Sequence, residues 1–311
     1  MLPQTIKNST TYYASIANNP ELSLSLANAY KFFNKKKDEC LKKHDTINAI
    51  NHLRQLAIIQ NELGDYLGCE TNIVHALKLL NQLKETEITN ESKVGLYNQI
   101  GRLNLILLKY ETSLDYFKKG LKIAKHPRHI NILQNNMALV YIKQLNFELA
   151  EKILAEIYEK SKTQVGAEQT TARALDNLGN VQAKLGRPVA LDNLKKALKM
   201  RLEIKDNYGL YSSYSHLKEF YSDKKDVNKA VFYANQAYDV AKTVNSISYI
   251  EDALSNIISL SSDPNVLKYK QLKDSITNAR QIADNKYALI KYDYLKKENE
   301  AKVDGTDYEN H

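Results

Sequence analysis

A chain of 311 residues with only ten Gly and five Pro has few helix breakers, and no apolar run approaches the roughly 20 residues that a bilayer-spanning helix needs. Lys and Arg number 44 against 36 Asp and Glu, a net charge of +8. The basic residues are spread over many segments and interleaved with acids, as on solvated helix faces, which speaks against a nucleic-acid-binding tract. Leu, Lys, Ala and Asn are frequent and no long β-branched alternation interrupts them, so the expected fold class is all-α.

Met1, Leu2 and Pro3 are followed by polar residues, so the basic and apolar regions of a secretory signal are both missing, and the chain as written is expected in the cytoplasm. A degenerate helix pair is predicted from about Ile6 to Leu41. Cys40 and Cys69 fall within helical patterns and cannot form a disulfide framework. Cys40 and His44 have metal-ligand spacing on a helix face but lack two further ligands nearby, so neither a metal nor another cofactor is expected. The clusters Lys35 to Lys37 and Lys118 to Arg128 read as helix ends.

From Leu53 onward one pattern returns five times. The first copy runs Leu53, Leu56, Ala57, Gly64, Tyr66, Cys69, Ile73, Ala76, and the second Tyr97, Ile100, Gly101, Tyr110, Ser113, Phe117, Gly120. The third runs Gln134, Met137, Ala138, Tyr141, Phe147, Ala150, Leu154. The fourth, with a shortened inner turn at Arg187 and Pro188, runs Leu175, Leu178, Gly179, Gly186, Ala190, Leu194, Ala197, and the fifth Tyr214, Leu217, Tyr221, Ala230, Ala234, Ala237. A small residue after the Leu-like position lets two helices approach, and small residues in the second helix accept the next pair. Stacking then supplies the core that one pair cannot bury alone. The Leu-like positions 56, 100, 137, 178 and 217 are spaced by 44, 37, 41 and 39 residues, more than the about 34 of a standard unit, and Asn81 to Gly95 is the predicted long connection.

A last degenerate pair begins with a helix over Ser248 to Leu260. From Pro264 a long charged helix is predicted to reach at least Lys297, with a frayed tail from Ala301. Residues 1–263 thus read as an array of six to seven helix pairs and 264–311 as the long helix and tail. Leu267, Leu272, Ile276, Ala279, Ile282, Leu289, Tyr292 and Leu295 recur at three- to four-residue steps, so its first half is expected to dock and its second half to project, available for a homodimer.

The copy from Leu53 to Ala76 resembles the tetratricopeptide repeat nearly position for position, which implies a right-handed superhelical solenoid of helix pairs. Further runs add a narrower resemblance: Asn177-Leu178-Gly179, Ala197-Leu198, Gly209-Leu210-Tyr211-Ser212-Ser213-Tyr214, and the closing series Leu272-Lys273-Asp274-Ser275-Ile276, Ala279-Arg280-Gln281 and Asn285-Lys286-Tyr287-Ala288-Leu289-Ile290-Lys291-Tyr292-Asp293. They are similar to the repeat region of Bacteroidetes signalling proteins, where the closing run leads into a coiled linker, usually a transmembrane helix, and a histidine kinase or DNA-binding output domain. The resemblance implies a sensor or adaptor role, and a periplasmic location if the chain is the trimmed sensor of a longer membrane protein. No secretion signal, membrane span or output domain occurs in the sequence as written.

In such solenoids the first helix of each pair lines the concave surface, at the positions one and two before the Leu-like site and two after it. Those positions hold Arg54 and Gln55; Asn98, Gln99 and Arg102; Asn135 and Asn136; Asp176, Asn177 and Asn180; and Ser215, His216 and Glu219, with Arg173 one turn earlier on its helix. Asn and Gln offer a donor and an acceptor each, suited to an extended peptide backbone, and arginines hold carboxylates. The candidate peptide-binding set is Arg54, Asn98, Arg102, Asn135, Asn136, Arg173, Asn177 and Asn180. A chaperone-tail clamp requires Lys where Arg54, Asn98, Asn135 and Asp176 stand, so that ligand is not expected. The 21 Tyr, including Tyr66, Tyr97, Tyr110, Tyr141 and Tyr214, fall at packing positions rather than forming a base-stacking platform.

No Gly-x-Gly and no phosphate-cradling loop occurs, and His126 and His129 bracket a Pro in a predicted turn. The seven His include no zinc-protease pair, so no catalytic residue is assigned and an enzyme is not expected. The sequence therefore predicts a protein or peptide partner. A basic helical-repeat binder of nucleic acid is the alternative, followed by an undetected enzyme.

Overall fold

The computed structural model describes residues 23–244, 246–260 and 266–307. The N-terminal half of the first predicted pair therefore lies outside the described residues. Among the described residues there are thirteen helices and no strand, as an all-α solenoid requires. The chain divides into two compact units, one of residues 1–72 with 271–311 and the other of residues 73–270.

In the first unit, α1 (Ser23–Lys42) packs on α2 (Thr46–Glu62). Asp45 caps α2 by accepting from the Asn48 backbone amide, which satisfies one of the free donors at a helix start. The core joins Ala29, Tyr30 and Phe33 of α1 to Leu56 and Ile59 of α2, and the buried side chain of Tyr287 closes it. Tyr287 belongs to α13 (Val266–Asp307), which reaches Lys297 as expected and continues as helix into the segment from Ala301, expected to fray. The expectation that the second half of this helix projects is therefore corrected: Tyr287, Ile290, Lys291 and Tyr294 dock on α1 and α2. Tyr and Lys carry enough apolar surface to bury a face whose ends are polar, which a pattern of Leu and Ile alone does not register.

In the second unit, α4 (Glu87–Ile106) packs on α5 (Tyr110–Ile123), α6 (Pro127–Lys143) on α7 (Phe147–Ser161), α8 (Glu168–Lys184) on α9 (Ala190–Glu203), and α10 (Asn207–Asp223) on α11 (Val227–Thr243). Helix α12 (Ile247–Leu260) follows on α11. First helices also touch one another, α4 with α6, α6 with α8 and α8 with α10, and this row forms one face of the stack. The predicted long connection from Asn81 to Gly95 is instead the short segment 82–86 after α3 (Tyr66–Asn81). Thr86 and Thr89 form a capping box that starts α4 at Glu87, so the extra spacing is taken up by a 20-residue helix.

Small residues act as the pattern requires. A Cβ at Gly101 would meet the Phe117 ring at 2.5 Å, and one at Gly179 the Leu194 backbone nitrogen at 3.0 Å, so hydrogen there sets the closeness of each pair. The Leu-like positions Leu56, Ile100, Leu178 and Leu217 are buried, while Met137 is partly buried.

The turn inside each pair ends in a left-handed residue: Gly64 in the first unit, and Leu108, Leu145, Gly186 and Lys225 in the second. The following amide reaches five residues back to the helix, as Asp65 N to Gln60 O at 2.8 Å and Asn146 N to Tyr141 O at 2.8 Å, closing the C-terminus in the usual glycine-type cap.

Candidate functional site

The row of first helices in the second unit carries most of the predicted ligand positions. Asn136 on α6 donates through Nδ2 to Asn98 Oδ1 on α4 at 2.7 Å, and Asn177 on α8 donates to Asn135 Oδ1 on α6 at 2.9 Å. Two successive repeat boundaries are thus bridged by amide pairs. Asn135, Asn136 and Asn177 are buried, which corrects the expectation that these positions are simply exposed; Asn98 and Asn180 are partly buried and Arg102 is exposed. Each pair uses one donor hydrogen and one acceptor lone pair, so each amide keeps further capacity.

Arg173 lies one turn before Asn177 and is partly buried. Burial, followed by the positive charges of Arg201, Arg102 and Arg128, holds its guanidinium below the ordinary value, with Asp206 offsetting part of the effect. Among the described residues, Arg187 and Arg201 pair with carboxylates, whereas Arg102, Arg128 and Arg173 do not. A desolvated cation without a carboxylate partner is costly, and an anion placed there would relieve that cost. Arg54 belongs to α2 in the first unit, where burial lowers its pKa.

Asp176 is not a groove residue. It is fully buried and receives Arg201 Nη1 at 2.9 Å, Ser213 Oγ at 3.1 Å and His216 Nδ1 at 2.9 Å. Arg201 also donates to Ser213 Oγ at 2.8 Å and to the Gly209 carbonyl. Burial pushes the Asp176 carboxyl up, but the charges of His216 and Arg201 and the bonds from His216 and Ser213 outweigh it, and the net shift is downward. The Ser213 hydroxyl faces the carboxylate rather than the imidazole, so this Ser, His and Asp do not form a nucleophile and its base. The network instead ties α8, α9 and α10 together. Its signal in the sequence was Arg201, seven residues after Leu194 and four after Ala197 on the buried stripe of α9, where a charge requires a buried partner.

Two further predicted positions are also engaged: Ser215 Oγ donates to the Tyr211 carbonyl at 2.9 Å, and Glu219 pairs with Lys184 at 2.7 Å. Arg128, at the start of α6, was read only as a helix end, yet its charge reaches Arg173. Tyr110, Tyr141 and Tyr214 pack against core clusters. Burial raises the thiol pKa of Cys40 and pushes that of Cys69 up to about 12, consistent with structural cysteines. Among the described residues no helix is long and apolar enough to cross a membrane, and no three potential ligands cluster to hold a metal.

Residues 129–203 match the sequence model of the tetratricopeptide repeat. The same fold occurs in the apo form of RapI, at a TM-score of 0.51 and 17% identity, over 87% of this chain and 99% of that one. A Rap protein complexed with Competence and Sporulation Factor gives a TM-score of 0.55 at 10% identity, over 86% and 75% of the two chains. A signal transduction ATPase with numerous domains and a tetratricopeptide repeat sensor, from Pyrococcus horikoshii, gives 0.50 at 14% identity, over 90% of this chain and 51% of that one. No curated protein resembles the chain closely enough in sequence to match it. The chain is thus a helical solenoid that carries the tetratricopeptide repeat over residues 129–203, and at these identities the likeness to solved structures is one of fold.

Proposed function

We propose that the chain is a protein-binding scaffold that receives an extended segment of a partner along the first-helix row of the second unit, as the sensor or adaptor of a bacterial signalling system. The observation that carries this reading is the pairing of Asn136 with Asn98 and of Asn177 with Asn135 beside an arginine that has no carboxylate partner. The amide pairs hold neighbouring repeats in register and keep hydrogen-bonding capacity for a peptide backbone, while Arg173 with Arg102 suits an acidic group on the ligand. The fold supports the reading as well. A Rap protein of this architecture has been solved with Competence and Sporulation Factor, and the Pyrococcus protein uses it as a repeat sensor. Asn180 completes the proposed binding residues of this row, and Arg54, which belongs to the first unit, is not among them.

The unpaired positive charge of Arg102, Arg128 and Arg173 favours single-stranded nucleic acid as the second reading. An immobilised array of extended peptides with acidic, neutral or basic side chains, run beside a single-stranded oligonucleotide, tests both. Acidic peptides are expected to bind, and Arg173→Ala to weaken them at least about tenfold, the loss of one charge-assisted contact. Binding of the oligonucleotide alone, or of no peptide by a well-folded chain, overturns the peptide reading.

A further inference from the structure

The docked half of α13 presents one narrow face. Tyr287, Lys291 and Tyr294 stand at positions i, i+4 and i+7 and so lie along one side of the helix. The Tyr287 ring is buried edge-on to Tyr30, with centroids 4.9 Å apart. Its hydroxyl donates to Asp65 Oδ2 at 2.5 Å and accepts from Gln60 Nε2 at 3.2 Å. Lys291 Nζ reaches the same Asp65 oxygen at 2.5 Å. Tyr294 donates its hydroxyl proton to Asp38 and accepts from Lys37 Nζ at 3.1 Å, whose ammonium lies 5.1 Å from the Tyr294 ring centre.

This seam differs in kind from the pairings inside the repeats. Those rest on small residues and apolar rings, as at Gly101 and Phe117. Here, among the described residues of the helix, Tyr287 is the buried side chain, Ile290 is partly buried, and the other anchors are hydrogen bonds to carboxylates and an amide. The opposite face of the helix stays in solvent, with Leu289, Tyr292 and Leu295 at 67%, 65% and 45% exposure. Polar anchors exchange for water at little net cost, whereas buried apolar area does not. The receiving surface on α1, α2 and the turn after α2 that carries Asp65 is therefore a helix-accepting groove with fixed acceptors, held by an occupant of modest grip.

We propose that this face of α1 and α2 is a second protein-binding site, for an amphipathic partner helix presenting an aromatic residue, a lysine and a tyrosine at i, i+4 and i+7, and that α13 is its built-in competitor. Asp65 reads the lysine and the first tyrosine together, Gln60 fixes the hydroxyl of that tyrosine, and Asp38 with Lys37 reads the second. The site uses no residue of the amide row and stands independently of the function proposed above.

The test uses a fluorescein-labelled peptide of residues 283–300 as the probe and fluorescence anisotropy as the readout. The full chain carrying Lys291→Glu with Tyr294→Ala frees the groove without altering it, and should bind the probe at least about tenfold more tightly than the unaltered chain, which competes in cis. Adding Asp65→Asn to that variant should remove the gain. A folded release variant that binds no better than the unaltered chain overturns the proposal. Hydrogen exchange on the unaltered chain keeps the test open should the variant fail to fold. The amides of 285–295 are expected to exchange at least about tenfold faster than those of α8 through local release, and exchange in step with α8 would show that the helix is a permanent core element.

Discussion

Asp65 in the first unit and Asp176 in the second are both carboxylates placed inside helix packing, and each is held by several donors. Both are depressed below the ordinary carboxylate range: burial acts upward, then Lys291 and Tyr287 pull Asp65 down, and His216 and Arg201 pull Asp176 down. The surroundings differ. Asp176 is completely enclosed and its partner Arg201 nearly so, whereas the Asp65 carboxylate keeps 14% of its surface and Lys291 keeps 30%. The donors to Asp176 come from α9 and α10, neighbours in the stack. Those to Asp65 include two side chains of a helix more than 220 residues away in sequence. An enclosed carboxylate ties the stack into one cooperative block, while a partly wet one ties on an element that can leave by itself.

The largest break in this comparison is the loss of Asp176. Asp176→Ala leaves Arg201 as a buried, uncompensated cation and is expected to cost about 3–5 kcal/mol, read as a fall in the urea midpoint of helix content. Asp65→Ala removes charge-assisted bonds from a partly solvated site and should cost less, about 1–3 kcal/mol. Its effect should be faster hydrogen exchange in residues 285–295 and in the first turn of α3, whose Gly68 amide Asp65 caps at 3.0 Å. Equal losses spread over both units would show that the two carboxylates play the same role.

Acid gives an intermediate effect. A carboxyl whose folded pKa is depressed contributes stability that is fully present above its unfolded pKa, about 4, and that is lost as pH falls through the lower folded value. Both sites therefore weaken below about pH 4, in the same direction. Protonating Asp65 frees one helix face, while protonating Asp176 requires three helices to separate. As pH falls from about 6 to about 3, amide protection in 285–295 is expected to fail before protection in α8. Simultaneous failure would mean that α13 is part of the cooperative block.

Much of this was legible in the sequence because the repeat is a rule about size: Ala57, Gly101, Ala138 and Gly179 mark close helix approach, and the Leu-like sites mark the core. The candidate site was legible in position but not in state. Counting from Leu178 places Asp176 and Asn177 on the first-helix row, yet only the partners on neighbouring helices decide that Asp176 is sealed by Arg201 and that Asn177 is paired with Asn135. The docking of α13 was hidden for a related reason. Its buried face is written in Tyr and Lys, while the Leu289, Tyr292 and Leu295 stripe that suggested a seam is the one left in solvent.

The smallest expected effect sharpens the comparison at the turns. The first unit uses Gly64 at the left-handed position, with φ of 72°, while the second unit places Leu145 at the equivalent position with φ of 61°. A side chain there costs about 1–2 kcal/mol through the clash of Cβ with the following carbonyl. Glycine avoids that clash but returns part of the gain through a freer unfolded chain, about 0.4–1 kcal/mol. Leu145 is 72% exposed, so removing its side chain gives up little burial. Leu145→Gly is therefore expected to stabilise the chain by about 0.5–1 kcal/mol, seen as a rise in urea midpoint without a change in slope. Gly64→Leu should destabilise the first unit by a similar amount. A loss of stability in Leu145→Gly would mean that this leucine packs on something worth more than its backbone strain.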